Sequence, residues 1–415
     1  MTPASQSSSR LSAPAPGGSV RRNDLDWLRS GLFLGLILYH VGLLYAPFSP
    51  YFVKSSHSHP AVELILLTTH PWRMALLFLI SGAATRFMAD KLPAGTLCAG
   101  RSMQLLPPLL LGFFLLMPIQ AYLMLADTVG YDQPVRDFLQ QFFLSPAHEV
   151  VHQGRHHPMP VYGHLWFVLY LWGYTALLCG ALWLGRRWVG AAERFLERAL
   201  RGPWMVITPL VVLAALRFTL FPIFSITLHV QADWYNHAVS FGMFLFGFLI
   251  ARSERLWTEI ARMRWVGLAL AVAGYAAYVG FAFVYGGQPE PLEAKHPFMH
   301  LLNAVHQWGA SLAVLGFAYR HLRQARPTPA YLNRGLFTFY IVHQPALLLI
   351  IYWLKRADIG AGLEAPAVIA LTVATCLLAY ELARRSGWLA PFLGLRIAPR
   401  QPREAGFGGL AAATT

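Results

Sequence analysis

Charge is scarce in this chain. Asp, Glu, Lys and Arg make up 13% of it, with 19 acidic against 33 basic residues. So few charges cannot clothe a soluble domain of 415 residues. With 56% hydrophobic residues and a mean hydropathy of +0.45, the composition is that of a polytopic all-α membrane protein. Cysteine is scarcer still. Cys98, Cys179 and Cys376 lie far apart, and without a paired spacing they suggest neither a disulfide framework nor a zinc site. Met1 to Val20 has no apolar h-region, which excludes a signal peptide and leaves a disordered lead over residues 1–21. A basic face is missing too: the formal net charge of +14 comes from short clusters between apolar segments, which argues against a nucleic-acid partner.

What the chain has in abundance is apolar runs of spanning length. Ten are expected, over Trp27–Ala46, Val62–Met88, Met103–Ala126, His164–Leu184, Trp204–Pro222, His237–Ala251, Trp265–Tyr285, Leu301–Arg320, Gly335–Leu354 and Pro366–Ala383. Pro71 predicts a break in the second, because proline lacks an N–H and crowds the preceding turn. The loops alternate between basic and non-basic. Twenty-four of the 33 Lys and Arg fall on one side, among them Arg22, Arg86, Arg101, Arg252, Arg323 and Arg384. Six fall on the other: Lys54, Arg136, Arg155, Lys295, Lys355 and Arg356. The positive-inside rule therefore puts both termini in the cytoplasm, with a membrane domain over residues 22–395 and a disordered tail over 396–415.

Three arginines belong to no loop: Arg29, Arg73 and Arg217. Each cation in a span costs about 2.5 kcal/mol or more and needs a partner or a purpose. Arg29 stands eleven residues before His40 on the first span. That separation is three helical turns plus about 20°, so the two share one face, about 16 Å apart along the axis. A cation at the inner mouth and a base in the outer half lie on one stripe. Arg73, His164, Asn303, His306, Gln307 and His343 fall at a similar outer depth on other spans, as a substrate cavity requires. Arg29, Arg86 and Arg101 stand at the inner mouth, where they are candidates to hold an anion from the cytoplasm.

Plainer roles compete with each of these. Asp26 and Arg29, three apart on a helix, can simply pair. His164, near Trp166 and Tyr170, suits an interfacial belt. His343 precedes Gln344-Pro345 and can satisfy carbonyls freed by the proline. Arg217 reads best as a snorkelling cation at the lipid. His148-Glu149-Val150-Val151-His152 spells H-E-x-x-H, but Pro146 and Gly154 leave it at most two helical turns, and no third zinc ligand follows at a suitable spacing.

The chain resembles the membrane acyltransferase-3 family over about residues 22–395. Arg29 and His40 match the family's Arg-x10-His pattern on the first helix. Phe78-Leu79-Ile80-Ser81-Gly82 followed by Arg86 is similar to its second-helix motif, and Arg101 ahead of Leu106-Pro107-Pro108 to the basic stretch before its third helix. Trp72-Arg73-Met74, His164-Leu165-Trp166-Phe167, Val342-His343-Gln344-Pro345 and Tyr380-Glu381 resemble the branch that succinylates periplasmic glucans. One arginine follows Ser81-Gly82 where many members have two.

The resemblance implies an O-acyltransferase of a bacterial-type inner membrane. It would carry a succinyl or acetyl group from acyl-coenzyme A, a co-substrate rather than a bound cofactor, to a glycan or glycolipid acceptor. His40 and Arg73 would be catalytic, Arg29, Arg86 and Arg101 would bind the donor, and His164, Asn303, His306 and His343 would face the acceptor. The alternative is a transporter or lipid flippase with intramembrane Arg and His. Against it, the spans show no internal repeat.

Overall fold

The computed structural model describes residues 22–146, 148–285 and 297–395, so the expected lead and tail lie outside it. Helices occur at all ten apolar stretches. The first, α1 (Asn23–Tyr45), opens with Asp24 and Asp26 in its first turn, where acidic side chains suit the positive end of the helix dipole. The second stretch is broken, as Pro71 predicts. α2 (Pro60–Leu67) ends, Thr68 and Thr69 turn, and α3 (His70–Ala89) begins with Pro71 in its first turn, where the missing N–H would have had no helical acceptor. α4 (Ala94–Leu111) runs through Pro107 and Pro108 into a π-helical turn, Gly112–Leu116, and continues as α5 (Met117–Thr128). α6 (Val135–Leu144) and a β-hairpin precede α7 (Trp166–Leu184).

Two charged, amphipathic helices, α8 (Arg187–Ala199) and α11 (Glu254–Arg262), turn sharply against their neighbours α9 (Trp204–Thr219) and α10 (Trp234–Ile250), with bends of 111° and 116°. α12 (Arg264–Tyr285), α13 (Phe298–Leu322), α14 (Ala330–Arg356) and α15 (Ala361–Arg385) complete the bundle. Seven helical stretches among the described residues are long and apolar enough to cross a membrane, and nine if each bent pair is one span. That is fewer than the ten expected. The stretch left over is α13, whose first turns carry His300, Asn303, His306 and Gln307, all buried. It is shielded by its neighbours rather than apolar in itself.

The bundle has two unlike ends. At one, which we call the basic end, Asn23 Nδ2 and Trp27 Nε1 donate to the carbonyls of Ala325 and Arg326, and Arg252 pairs with Asp90 at 2.7 Å. At the other, the histidine end, Lys355 pairs with Asp127 at 2.7 Å, and Ser55 Oγ donates to buried Glu364 at 2.5 Å.

Two seams of glycine set the spacing between helices. A Cβ on Gly82 of α3 would lie 1.9 Å from the Phe244 carbonyl oxygen of α10, and one on Gly247 of α10 would lie 1.9 Å from the Leu79 oxygen of α3. Gly267 and Gly274 on α12 face Gly309 and His306 on α13, while Gly316 of α13 meets Ile260 and Arg264. Lipid gives helices no hydrophobic reason to associate, so backbone contact of this kind supplies dispersion in its place.

The H-E-x-x-H stretch is not helical. β1 (Glu149–His152) pairs antiparallel with β2 (Arg155–Pro158) around Gln153 and Gly154, both at positive φ (50° and 74°). In extended chain, residues four apart are separated by about 13 Å, twice the distance on a helix, so His148 and His152 cannot share one zinc ion as in a zincin.

We expect Gly247→Leu to push α3 and α10 apart, at a cost of about 3 kcal/mol or more. Gly242→Leu, on the same helix but with open space around it, should stay within about 0.5 kcal/mol. Thermal unfolding of the two detergent-solubilised variants checks this, and equal stability would contradict the seam.

Candidate active site

A proline builds the centre of the site. Pro345 lies inside α14 and has no N–H to give to the carbonyl of Ile341, four residues earlier. His164, in the 3₁₀ turn Gly163–Leu165 just before α7, takes that place: its Nε2 donates to the Ile341 oxygen at 3.1 Å, and the Tyr340 hydroxyl donates back to the His164 carbonyl. With Nε2 protonated, His164 Nδ1 carries a lone pair. It is buried and has no hydrogen-bond partner.

His343 does not serve the freed carbonyl. Its Nδ1 faces the carbonyl oxygens of Phe339 (3.1 Å) and Tyr340 (2.7 Å), which can only accept, so Nδ1 holds the ring's proton and Nε2 its lone pair. His40 Nδ1 lies 2.8 Å from that Nε2 and therefore donates to it. The chain of donors fixes both tautomers and leaves His40 Nε2 as the nitrogen able to receive a proton. A backbone carbonyl thus orients His343, and His343 orients His40.

His40 lines a cavity of about 1090 Å³ at the histidine end. Of the expected residues, Arg73, His164, Asn303 and His306 line it too, and Gln307 joins them. His343 stands behind His40 and not on the cavity wall. Arg73 is buried, its guanidinium carbon 3.6 Å from the centre of the Tyr39 ring, and its Nη1 donates to Thr69 Oγ1 at 3.0 Å. Its Nε has no hydrogen-bond partner. The Tyr39 hydroxyl is 2.7 Å from His70 Nδ1, which brings a further imidazole to the wall. His306 bridges α12 to the break between α2 and α3, with Nδ1 2.9 Å from the Ala271 oxygen and Nε2 3.0 Å from the Thr68 oxygen. None of the described residues lining the cavity is acidic.

Arg217 corrects an expectation. It does not snorkel to lipid: it is buried, lines the cavity, donates from Nη1 to the Tyr235 hydroxyl at 3.0 Å and lies 4.3 Å above the Phe221 ring. Hydropathy places a residue in a span but does not say which way it faces.

Residues 46–59 roof His40. Tyr51 stacks on its ring at 6.1 Å between centroids, and Lys54 Nζ gathers the carbonyls of Leu43 (2.9 Å), Ser49 (2.5 Å) and Ala46. Glu63 accepts from the backbone N–H groups of Phe48 and Ser49, both at 2.7 Å. Desolvation pulls the Lys54 ammonium below its usual range, and the Glu63 carboxylate opposes that pull.

At the basic end, Arg29 lines a second cavity of about 400 Å³ with Arg22, Asp26, Arg252, Glu254 and Arg323. Asp26 lies 3.8 Å from Arg29, and Arg29 Nη2 donates to Asn333 Oδ1 at 3.0 Å. Arg86 and Arg101 do not line this cavity. Arg86 is engaged by Asp90 (2.9 Å) and Glu193 (2.5 Å), and buried Arg101 donates to Thr85 Oγ1 at 3.1 Å. Among the described residues, no three His, Cys, Asp or Glu side chains come together as metal ligands.

Nitrogen NMR of histidine-labelled protein in lipid nanodiscs should show both His40 and His343 protonated at Nδ1. A proton on Nε2 of His343 would contradict the relay.

A family model described as an acyltransferase domain matches residues 22–381. No curated protein and no solved structure matches the chain. The family model takes in α1 to most of α15, the two cavities and the histidine pair, and on that match the chain belongs to the acyltransferase-3 family of membrane acyltransferases.

Proposed function

We propose that the protein transfers an acyl group from cytoplasmic acyl-coenzyme A to a hydroxyl of an envelope glycan, with the basic end in the cytoplasm and the histidine end outside. The observation that carries this is His40 at the wall of the large cavity, with His343 bonded to it from behind. The orientation follows the distribution of loop charge, with ten spans and the segments 1–21 and 396–415 on the cytoplasmic side. The donor's phosphates sit at the mouth lined by Arg29, and its long thin arm runs along α1 towards His40, about 16 Å further on. Arg86 and Arg101 support the helices around this mouth.

In the reaction, His40 Nε2 takes the proton of the acceptor hydroxyl as that oxygen attacks the thioester carbonyl. The new C–O bond forms and the C–S bond breaks. The imidazolium then returns its proton to the leaving thiolate, giving free coenzyme A. During the step the positive charge on His40 is spread by its Nδ1–H bond to His343. Arg73 stabilises the oxyanion or, where the acyl group is succinyl, its far carboxylate. The resemblance to glucan succinyltransferases makes succinyl the first group to test. His164, Asn303 and His306 line the acceptor's side of the cavity.

His40→Ala should lower acceptor-dependent release of free thiol from acyl-coenzyme A by about 10²-fold or more. Unchanged release would rule out His40 as the base, and a transporter would release none at all. Arg29→Gln should raise the KM for the donor about tenfold with kcat little changed, the pattern of a lost charged contact to phosphate made equally in ground and transition states. A fall in kcat alone would move Arg29 out of the donor site. Mass spectrometry of the product identifies the acyl group.

A further inference from the structure

On the far side of the wall that closes the large cavity lies a third hollow. It is a groove of about 690 Å³ between α7 and α10, with Gly173 and Leu177 on one side, Ala238 and Phe241 on the other. Leu177 and Trp234 at its edge are 62% and 55% exposed, so the groove opens on the surface of membrane-spanning helices. Among the described residues that line it, the ionisable side chains are His237, Tyr170 and Tyr174. His237 is turned inward, Nδ1 2.8 Å from the Tyr174 hydroxyl and Nε2 2.8 Å from the Val230 oxygen, and Tyr170 donates to Asp233 at 2.8 Å.

The wall between groove and cavity is the irregular segment 220–233. Its residues face both ways: Phe221, Ile226 and Leu228 line the cavity, while Leu220, Phe224 and Val230 line the groove. α10 is shared in the same manner, Asn236 and Ser240 turned to the cavity, His237 and Phe241 to the groove. The segment is held by buried Asp233, which accepts from the Thr227 N–H at 3.0 Å and from Asn236 Nδ2 at 2.7 Å. Directly above His40, by contrast, the way is filled by Tyr51 and its pinned loop.

We infer that the groove between α7 and α10 holds the hydrocarbon tail of a lipid-carried acceptor, whose polar head passes the 220–233 segment into the cavity. The inference rests on the acyl-transfer reading and narrows it: the acceptor is a glycolipid that arrives sideways from the bilayer, not a free glycan from the aqueous side. A tail in the groove keeps its apolar surface out of water while the head is desolvated among the histidines, which is why the two hollows share one wall.

Gly173 gives a clean test, since a side chain placed there meets nothing within 4 Å and grows into the groove. Gly173→Trp and, from the opposite wall, Ala238→Phe should each reduce kcat/KM for a long-chain glycolipid relative to a short-chain, water-soluble analogue by about tenfold, the effect of losing contact with two or three methylenes. Both acceptors are assayed by thiol release in nanodiscs, and size-exclusion profiles of the variants establish folding. If the ratio holds at its wild-type value in both variants while thiol release continues, the groove does not bind the tail and the inference falls, with acyl transfer intact. If the wild-type protein releases thiol with neither acceptor, the acyl-transfer reading falls, and the inference with it.

Discussion

One absent hydrogen organises this site. Pro345 deprives the Ile341 carbonyl of its helical donor at a depth where lipid offers no replacement, and such an orphan costs several kcal/mol. His164 answers from another helix, and in doing so commits Nε2 and leaves Nδ1 bare. The same stretch of α14 presents the carbonyls of Phe339 and Tyr340 to His343, which in turn holds His40. Three imidazoles from three parts of the chain are set in order, His164 and His343 by backbone oxygens and His40 through His343, and none of them needs a carboxylate to be oriented. An acid beside His40 would hold it as a charged pair, whereas carbonyls orient the ring and leave its charge to change during a reaction.

The two ends of the bundle treat cations differently. At the basic end several arginines meet acids: Arg22 with Asp24, Arg86 with Asp90 and Glu193, Arg252 with Asp90, Arg323 with Glu254. Arg86 with Glu193 ties α3 to α8, Arg323 with Glu254 ties the end of α13 to α11, Arg252 with Asp90 joins the ends of α10 and α3, and Arg22 with Asp24 is a local pair. Around the large cavity the guanidinium of Arg73 lies instead on an aromatic face, where the ring quadrupole balances part of its charge without neutralising it. A site of that kind keeps its pull on an incoming anion or oxyanion.

Hydropathy and proline placement were enough to find a helix at each of the ten apolar stretches and the break at Pro71, because both are properties of one segment at a time; the amphipathic helices α6, α8 and α11, which are not apolar runs, escaped that reading. The pairing of His40 with His343 was not legible. A helical period tells which residues share a face of one helix, but not which face of another helix, 303 positions away, will meet it. The i,i+4 spacing of Arg86 and Asp90 did carry the signal that this arginine is engaged, and Glu193, from a distant helix, completes the arrangement. His70 was visible only as the neighbour of a proline. The H-E-x-x-H stretch was ambiguous by motif and was decided by Gln153-Gly154, whose left-handed conformations favour a two-residue hairpin turn.

The glycine seams bear on how such a protein can move. Where Gly82 and Gly247 let carbonyls and Cα atoms touch across α3 and α10, and Gly267 and Gly309 do the same for α12 and α13, the helices interlock at backbone level. Such pairs cannot slide by fractions of an ångström; they stay in register or part altogether. The irregular pieces set between these couples, the roof over His40 and the segment between α9 and α10, lack such backbone interlocking and are held by side chains instead. The bundle is a frame of interlocked helix pairs with two irregular inserts held by side-chain bonds.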